Sequence, residues 1–300
     1  MISRILILAP GGLLFYSKNF LIEEPMPNSI ATDDDLIGGF LTAISSFAKE
    51  IKSGEVRALN FRNVNFIYSH DTQYGCIFIL IADIFDLEEE VRERLELMKE
   101  EFIKRYSSYL ENFNGRVSQF QEFDEFVEEN IFIPPKILLI GENGVGKTTI
   151  MDLFPGETIL EIDEDTIEVI EKYVGVSGIG NLKQFLIREV NLEDVVNNSK
   201  LYKPLLNSTD IICMVTNSAA SNLSRTKRLF SQLQPLVKNT DLFLIANFQD
   251  LKDTSFEPKK IEESFSIKTY GLSAINEDAQ KDILLIFKEI LNTSIVEKIK

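Results

Sequence analysis

The chain has 300 residues, 44% of them hydrophobic, a mean hydropathy near zero and a formal charge of −16. That length suffices for two domains with separate cores, and no apolar run approaches the ~18 residues of a membrane span. So acidic a chain is poorly suited to nucleic acid, whose binding is driven by basic side chains that release counterions. With His70 the only histidine, the composition argues against a His-based zinc site and a Ser-His-Asp triad. Cys76 and Cys213 sit in apolar, strand-like runs and read as buried thiols of a reducing compartment. The start "MISRILILAPGG" lacks a signal peptide's small-residue cleavage site, and neither Ile2 nor the closing "IVEKIK" offers a lipidation motif. The expectation is a soluble, cytoplasmic protein with no transmembrane segment.

In chain order, "ISRILILAP" and "LLFYSKNF" are strand candidates joined at Gly11-Gly12, a hairpin signal. The stretch "TDDDLIGGFLTAISSFAKEIKSG" predicts a helix. Ile37, Phe40, Leu41, Ile44, Phe47 and Ile51 recur on one face, Asp33 or Asp34 can cap the start, and Gly54 ends it. Three more strands are predicted in "VRALNF", "NFIYSHD" and "GCIFILIAD". A long amphipathic helix begins near Leu87, with Val91, Leu95, Met98, Phe102, Tyr106, Tyr109 and Phe113 as its core stripe, and stops at Asn114-Gly115. A further helix carries Phe120, Phe123 and Val127.

Two strands, a helix, three strands and then helices is an order that resembles the longin domain, a profilin-like α/β sandwich. The resemblance covers residues 1–127, rests on element order alone and implies an interaction module of membrane-traffic proteins. Residues 128–135, "EENIFIPP", then read as a connector stiffened by Pro134-Pro135, short enough to keep the two domains close.

Residues 136–300 open with "KILLI", a buried-strand pattern, followed by "GENGVGKT" and the helix start "TTIMDLF". Gly141, Gly146, Lys147 and Thr148 satisfy the phosphate-loop pattern G-x-x-x-x-G-K-[ST] in its strand–loop–helix context. Glycines let main-chain N–H groups wrap phosphates, Lys147 brings a point charge to their outer oxygens, and Thr148 offers a hydroxyl to Mg²⁺. The helix N-terminus adds a partial positive charge. Asn143 occupies a variable loop position and decides nothing.

Further on, "DLFLIANFQD" is a buried strand running into Asn247, Phe248, Gln249 and Asp250, and "KTYGLSA" a strand ending in Ser273-Ala274. Here the chain resembles the Ras/Arf superfamily of small GTPases, whose base-reading motif N-K-x-D is followed by a short S-A loop. The resemblance implies GTP/GDP with Mg²⁺. Asp250 would accept from guanine N1–H and the 2-amino group, Asn247 would bond the purine N7, and the Ala274 N–H would meet O6. A site of paired buried polar groups discriminates by powers of ten. Phe248 stands where the family has lysine and can cover the base by stacking. Asn143, Gly144, Val145, Thr149, Ser273 and Ile275 complete the implied nucleotide-binding set. The strands "NLKQFLIREVN", "TDIICMVTN", "DLFLIAN" and "KTYGLSA", with helices between and a last helix carrying Ile283, Phe287 and Ile290, imply a mostly parallel sheet flanked by helices.

The family's D-x-x-G aligns only with "REVNLEDVVNN". Asn191 replaces its aspartate, Asp194 its glycine, and no glutamine follows. This implies weak metal support and slow or partner-dependent hydrolysis, with no catalytic residue assigned. The carboxylate-rich stretch between Pro155 and Gly180 holds the first switch, with Thr166 as the first candidate for the metal-binding threonine and Thr158 as the second. Asp163, Glu164 and Asp165 read as a solvated loop, a surface for a basic partner, or a substitute metal contact. The basic stretch "SRTKR" at 224–228 reads as a solvent-facing helix surface. Together these resemblances imply a guanine-nucleotide switch linked to trafficking or signalling, with the longin-like domain docking in cis and an unidentified protein partner such as a GTPase activator. A non-hydrolysing scaffold is the alternative, and a P-loop ATPase or kinase is disfavoured by "NFQD" and "LSA".

Overall fold

The computed structural model describes residues 1–20, 34–50, 56–62, 64–84, 86–111, 113, 116–162, 167–179, 182–238 and 240–296. The chain divides into two units, Met1–Ile133 and Pro134–Lys300.

In the first unit, β1 (Ile2–Leu8) and β2 (Leu14–Asn19) pair antiparallel. Their turn needs Gly11 and Gly12, whose φ angles of 92° and 90° are left-handed. Helix α1 (Asp34–Glu50) precedes β3 (Ala58–Asn60), β4 (Val64–His70) and β5 (Ile77–Asp83). The sheet runs β2-β1-β5-β4-β3 with every pair antiparallel. Central β5 is buried on both faces, which explains its unbroken apolar run. Ile77, Ile79 and Ile81 pack with Leu41 of α1. Phe78 points the other way, to Phe102 at 5.8 Å between ring centroids.

Phe102 belongs to α2 (Glu88–Glu111), which is followed by α3 (Phe123–Asn130). Phe102 lies 5.2 Å from Phe120 and 5.1 Å from Phe123, an aromatic cluster of edge and tilted contacts. Val91, Leu95, Met98, Phe102 and Tyr106 are buried as the stripe predicts, but Tyr109 is exposed. In α1, Phe40 and Phe47 are 53% and 62% exposed, so the predicted apolar face there is narrower than its spacing suggested. Leu41 is buried, whereas Phe40 and Phe47, seven residues apart, both lie about 100–120° round the helix from it on the same side. The predicted helix ends at Gly54 and Asn114-Gly115 lie outside the described residues, as does the Asp33 cap. Residues 128–130, read from sequence as the start of the connector, continue α3.

In the second unit, β6 (Lys136–Gly141) leads into α4 (Lys147–Asp152), followed by β7 (Ile159–Ile162), β8 (Glu168–Gly175) and β9 (Gln184–Asn191). Helices α5 (Leu192–Asn197) and α6 (Lys203–Asn207) precede β10 (Ile211–Asn217), α7 (Ala220–Leu233) and β11 (Asp241–Asn247). Helix α8 (Pro258–Phe265), β12 (Thr269–Gly271) and α9 (Ala279–Leu291) follow. The sheet order is β12-β11-β10-β6-β9-β8-β7. From β12 through β9 all pairs are parallel, while β8 and β7 add an antiparallel edge. This is the mostly parallel α/β sheet expected of a P-loop domain. Ile283, Phe287 and Ile290 of α9 are buried in it.

The β7–β8 pair is a departure: the sequence suggested a switch loop there. Abundant carboxylates hide the strand period, yet Ile167 and Val169 are buried and so is Glu171, which is ion-paired to Arg188 across the β8–β9 register. Buried Lys172 donates to Met151 O (3.1 Å) and Phe154 O (3.2 Å), the carbonyls that close α4. Central β6 is flanked by β9 and β10, both later in the chain, so the crevice at its carboxyl end is a topological switch point. Among the described residues no helix is long and apolar enough to cross a membrane.

Candidate nucleotide-binding site

Strand β6 ends at Gly141, and the loop to α4 carries Gly144 and Gly146 at φ 77° and 92°. A Cβ on Gly141 would lie 2.4 Å from Val215 O, and one on Gly146 2.3 Å from Asn247 Nδ2. Both glycines are therefore required by close approach of a neighbouring strand or loop. Asn143, Gly144, Thr148 and Thr149 are exposed, whereas Val145 and Lys147 are buried. Lys147 Nζ donates to Glu142 O (3.0 Å) and lies 3.8 Å from Glu189 Oε1. Desolvation holds the Lys147 ammonium below its ordinary pKa, opposed by the carboxylates of Glu189 and Asp194. Thr148 Oγ1 donates to Glu189 Oε1 at 2.9 Å.

The second cluster stands at the ends of β11 and β12. Asn247 is 3% exposed; its Nδ2 donates to Val145 O (3.0 Å) and its Oδ1 accepts from Ala274 N (3.1 Å). One amide thus joins the phosphate loop, 102 residues before it, to the Ser273-Ala274 loop, 27 residues after it. Asp250 Oδ1 accepts from Ser273 Oγ at 2.7 Å, which aims the carboxylate. Phe248 adopts φ 66°, a left-handed conformation that costs a non-glycine residue ~1–2 kcal/mol. Its carbonyl accepts from Ser255 Oγ (2.6 Å), and Gln249 Nε2 donates to Ser218 Oγ (2.6 Å), so the strained loop is held from two sides. Ile275 is 77% exposed beside Ala274.

Residues 141–149, 247–250 and 273–275 therefore converge at the carboxyl ends of the strands of one sheet. No protein-family model matches this chain, and a search of curated proteins finds no match either. Among solved structures it is similar to the cytosolic domain of the T. maritima FeoB iron transporter in its GMPPNP form, at 17% identity and TM-score 0.39 over 54% of this chain. It spans 63% of the length of that structure. It is also similar to the G domain of the same transporter, at 16% identity and TM-score 0.40, covering 54% of this chain and 99% of that one. A third is the FeoB G-domain from Methanococcus jannaschii, at 21% identity and TM-score 0.35, covering 54% and 98%.

Other predicted residues are placed differently. Asn191, aligned with the family's metal-binding aspartate, is the N-cap of α5: its Oδ1 accepts from Glu193 N (2.8 Å) and its Nδ2 donates to Asn143 Oδ1 (2.7 Å). Asp194 lies exposed in the first turn of that helix. Thr158 is exposed just before β7, while Thr166 and Asp163, Glu164 and Asp165 lie outside the described residues. Among the described residues no cluster of three or more His, Cys, Asp or Glu could hold a metal. A magnesium ion would need nucleotide oxygens with few protein ligands, a common arrangement for Mg²⁺.

Sequence reasoning missed three polar residues. Glu189, inside β9, is 9% exposed and faces Lys147 and Thr148. Glu142, 4% exposed within the loop, accepts from Thr226 Oγ1 (2.6 Å) and pairs with Arg225 Nε (2.7 Å). Arg225 also pairs with Glu193, so the stretch read as a solvent-facing basic surface ties α7 to the phosphate loop and to α5. The available signal was a glutamate in each of two otherwise apolar strand contexts, "LLIGE" and "FLIREV".

Proposed function

We propose that residues 136–300 are a guanine-nucleotide-binding regulatory domain of the Ras/Arf-like type, joined by the 128–135 connector to a longin-like module at 1–127. The observation that carries this reading is the Asn247 side chain, bonded at once to Val145 O and Ala274 N. It sets Asp250 at a fixed offset from the phosphate loop, as simultaneous recognition of a base and its phosphates requires. Asp250 has acceptor oxygens for guanine N1–H and the 2-amino group, a pattern adenine does not complement. The half-buried Phe248 ring offers a face for stacking.

Lys147 would exchange the Glu142 carbonyl for phosphate oxygens, and Thr148 would turn its hydroxyl to Mg²⁺. The ion's contribution, when bound, is to neutralise charge developing on the transferring phosphoryl group. Hydrolysis is slow or depends on a partner, because residues 191–207 include no glutamine to orient water and Asn191 is engaged as a helix cap. That engagement also favours a second reading, a nucleotide-loaded scaffold that does not turn over. A part in trafficking or signalling, and a protein partner, rest on the resemblances alone.

Mass analysis of nucleotide released from the purified, denatured chain tests the assignment: GDP or GTP is expected, and adenine nucleotide in its place overturns it. A single-turnover GTP assay with and without Mg²⁺ separates the two readings, since no phosphate release over hours leaves the scaffold.

A further inference from the structure

The carboxylate that an Mg²⁺ ion beside Thr148 would require is missing from the end of β9, where Asn191 is neutral and committed to capping α5. Two residues earlier on the same strand, and hence on the same face, Glu189 presents a carboxylate to the loop. Its Oε1 accepts the Thr148 hydroxyl at 2.9 Å and lies 3.8 Å from Lys147 Nζ. Its Oε2 is buried and has no hydrogen-bond partner among the described residues. A residue only 9% exposed with one carboxylate oxygen unsatisfied is costly unless a further group completes it. The half that is satisfied is bonded to the hydroxyl that the phosphate-loop pattern assigns to the metal.

We infer that Glu189 is the carboxylate that supports the Mg²⁺ ion of a bound nucleoside triphosphate, having taken over from within the strand the task that position 191 no longer performs. This rests on the nucleotide-binding reading above. Glu189 holds the Thr148 hydroxyl in place and supplies the full negative charge that β9 brings to the loop; Asp194, which also acts on Lys147, lies exposed in the first turn of α5. The arrangement matches the known preference of Mg²⁺ for one or two carboxylates plus phosphate oxygens.

The test is the release rate of fluorescent GDP and a slowly hydrolysed GTP analogue from the full chain, across Mg²⁺ concentrations from excess EDTA upward, in the parent and in Glu189→Gln. The variant keeps the shape of the side chain and an acceptor for Thr148. Expected is a rise of roughly 10- to 100-fold in the Mg²⁺ concentration that half-protects bound nucleotide, a change larger than any the substitution makes to release in EDTA through Lys147. If Glu189 only balances the charge of Lys147, the substitution shifts release equally with and without Mg²⁺, and the inference is overturned. Should the glutamine variant fail to fold, Glu189→Asp carries the same comparison: a Mg²⁺ requirement moved at least about threefold supports the inference, an unmoved one overturns it. A parent chain that binds no guanine nucleotide even in EDTA would refute the nucleotide reading itself, a result distinct from either shift.

Discussion

Replacing Gly146 by alanine sets a methyl group against the one side chain that joins the phosphate loop to the base loops. The added Cβ would stand 2.3 Å from Asn247 Nδ2, so Asn247 must move. Its bonds to Val145 O (3.0 Å) and Ala274 N (3.1 Å) would then break inside a buried site. Each partner left unsatisfied costs ~1–3 kcal/mol, on top of ~1–2 kcal/mol for alanine at φ 92°. Gly144→Ala is the internal control: φ is 77° there, but no atom lies within 4 Å of its Cβ. The two variants share the backbone term and differ by the displaced amide with its two partners, a gap of about 2–6 kcal/mol. Because the chain has two units, a single melting transition is a poor measure. Hydrogen exchange of peptides from β6 and β11 reads the opening locally. Exchange in Gly146→Ala should be roughly 30- to 20,000-fold faster than in Gly144→Ala, at tenfold per ~1.4 kcal/mol. Equal protection in the two variants would refute the argument that Gly146 is required by Asn247.

Asp250→Asn keeps an acceptor for Ser273 but presents an amide to the base, so competition titrations should show guanosine diphosphate weakened by roughly 10- to 100-fold and xanthosine diphosphate gaining. Unchanged discrimination would count against the base site. Lys172→Met retains the buried stem and removes the donor to Met151 O and Phe154 O, at ~1–3 kcal/mol; exchange in the α4 peptide should rise while that in α9 does not. Burial, with a smaller push from the Asp71 carboxylate, raises the Cys76 thiol to about 12, and burial raises Cys213 as well. A raised thiol favours the protonated folded chain, so this contribution is intact below the ordinary thiol range and declines as pH climbs from there toward about 12. Iodoacetamide at about pH 8.5 should therefore label neither cysteine in the native chain and both in denaturant; native labelling would contradict the burial of these strands.

The glycine loop was legible because its pattern is local: the strand before it, the spacing of Gly141 and Gly146, and the Lys147-Thr148 pair all fall within a dozen residues. "NFQD" and "LSA" were legible as short signatures at strand ends. The hairpin β7–β8 was not, since Glu157, Glu161, Glu164, Glu168 and Glu171, spaced by three and four, mask a strand pair in which buried Glu171 is met by Arg188. Nor did alignment by position show that Asn191 caps a helix, because capping depends on where α5 begins.

By itself the sequence determined the order of strands and helices outside the β7–β8 hairpin, the mostly parallel sheet and a loop chemically suited to phosphates, all consequences of spacing along a short stretch of chain. Only the tertiary structure decided which polar residues complete that loop. Thr148 meets Glu189 across 41 residues, Thr226 meets Glu142 across 84, and Asn247 meets Val145 across 102. Such pairs arise when β6, β9, β10 and β11 align their carboxyl ends in one sheet, and no local period encodes a neighbour that arrives from another strand.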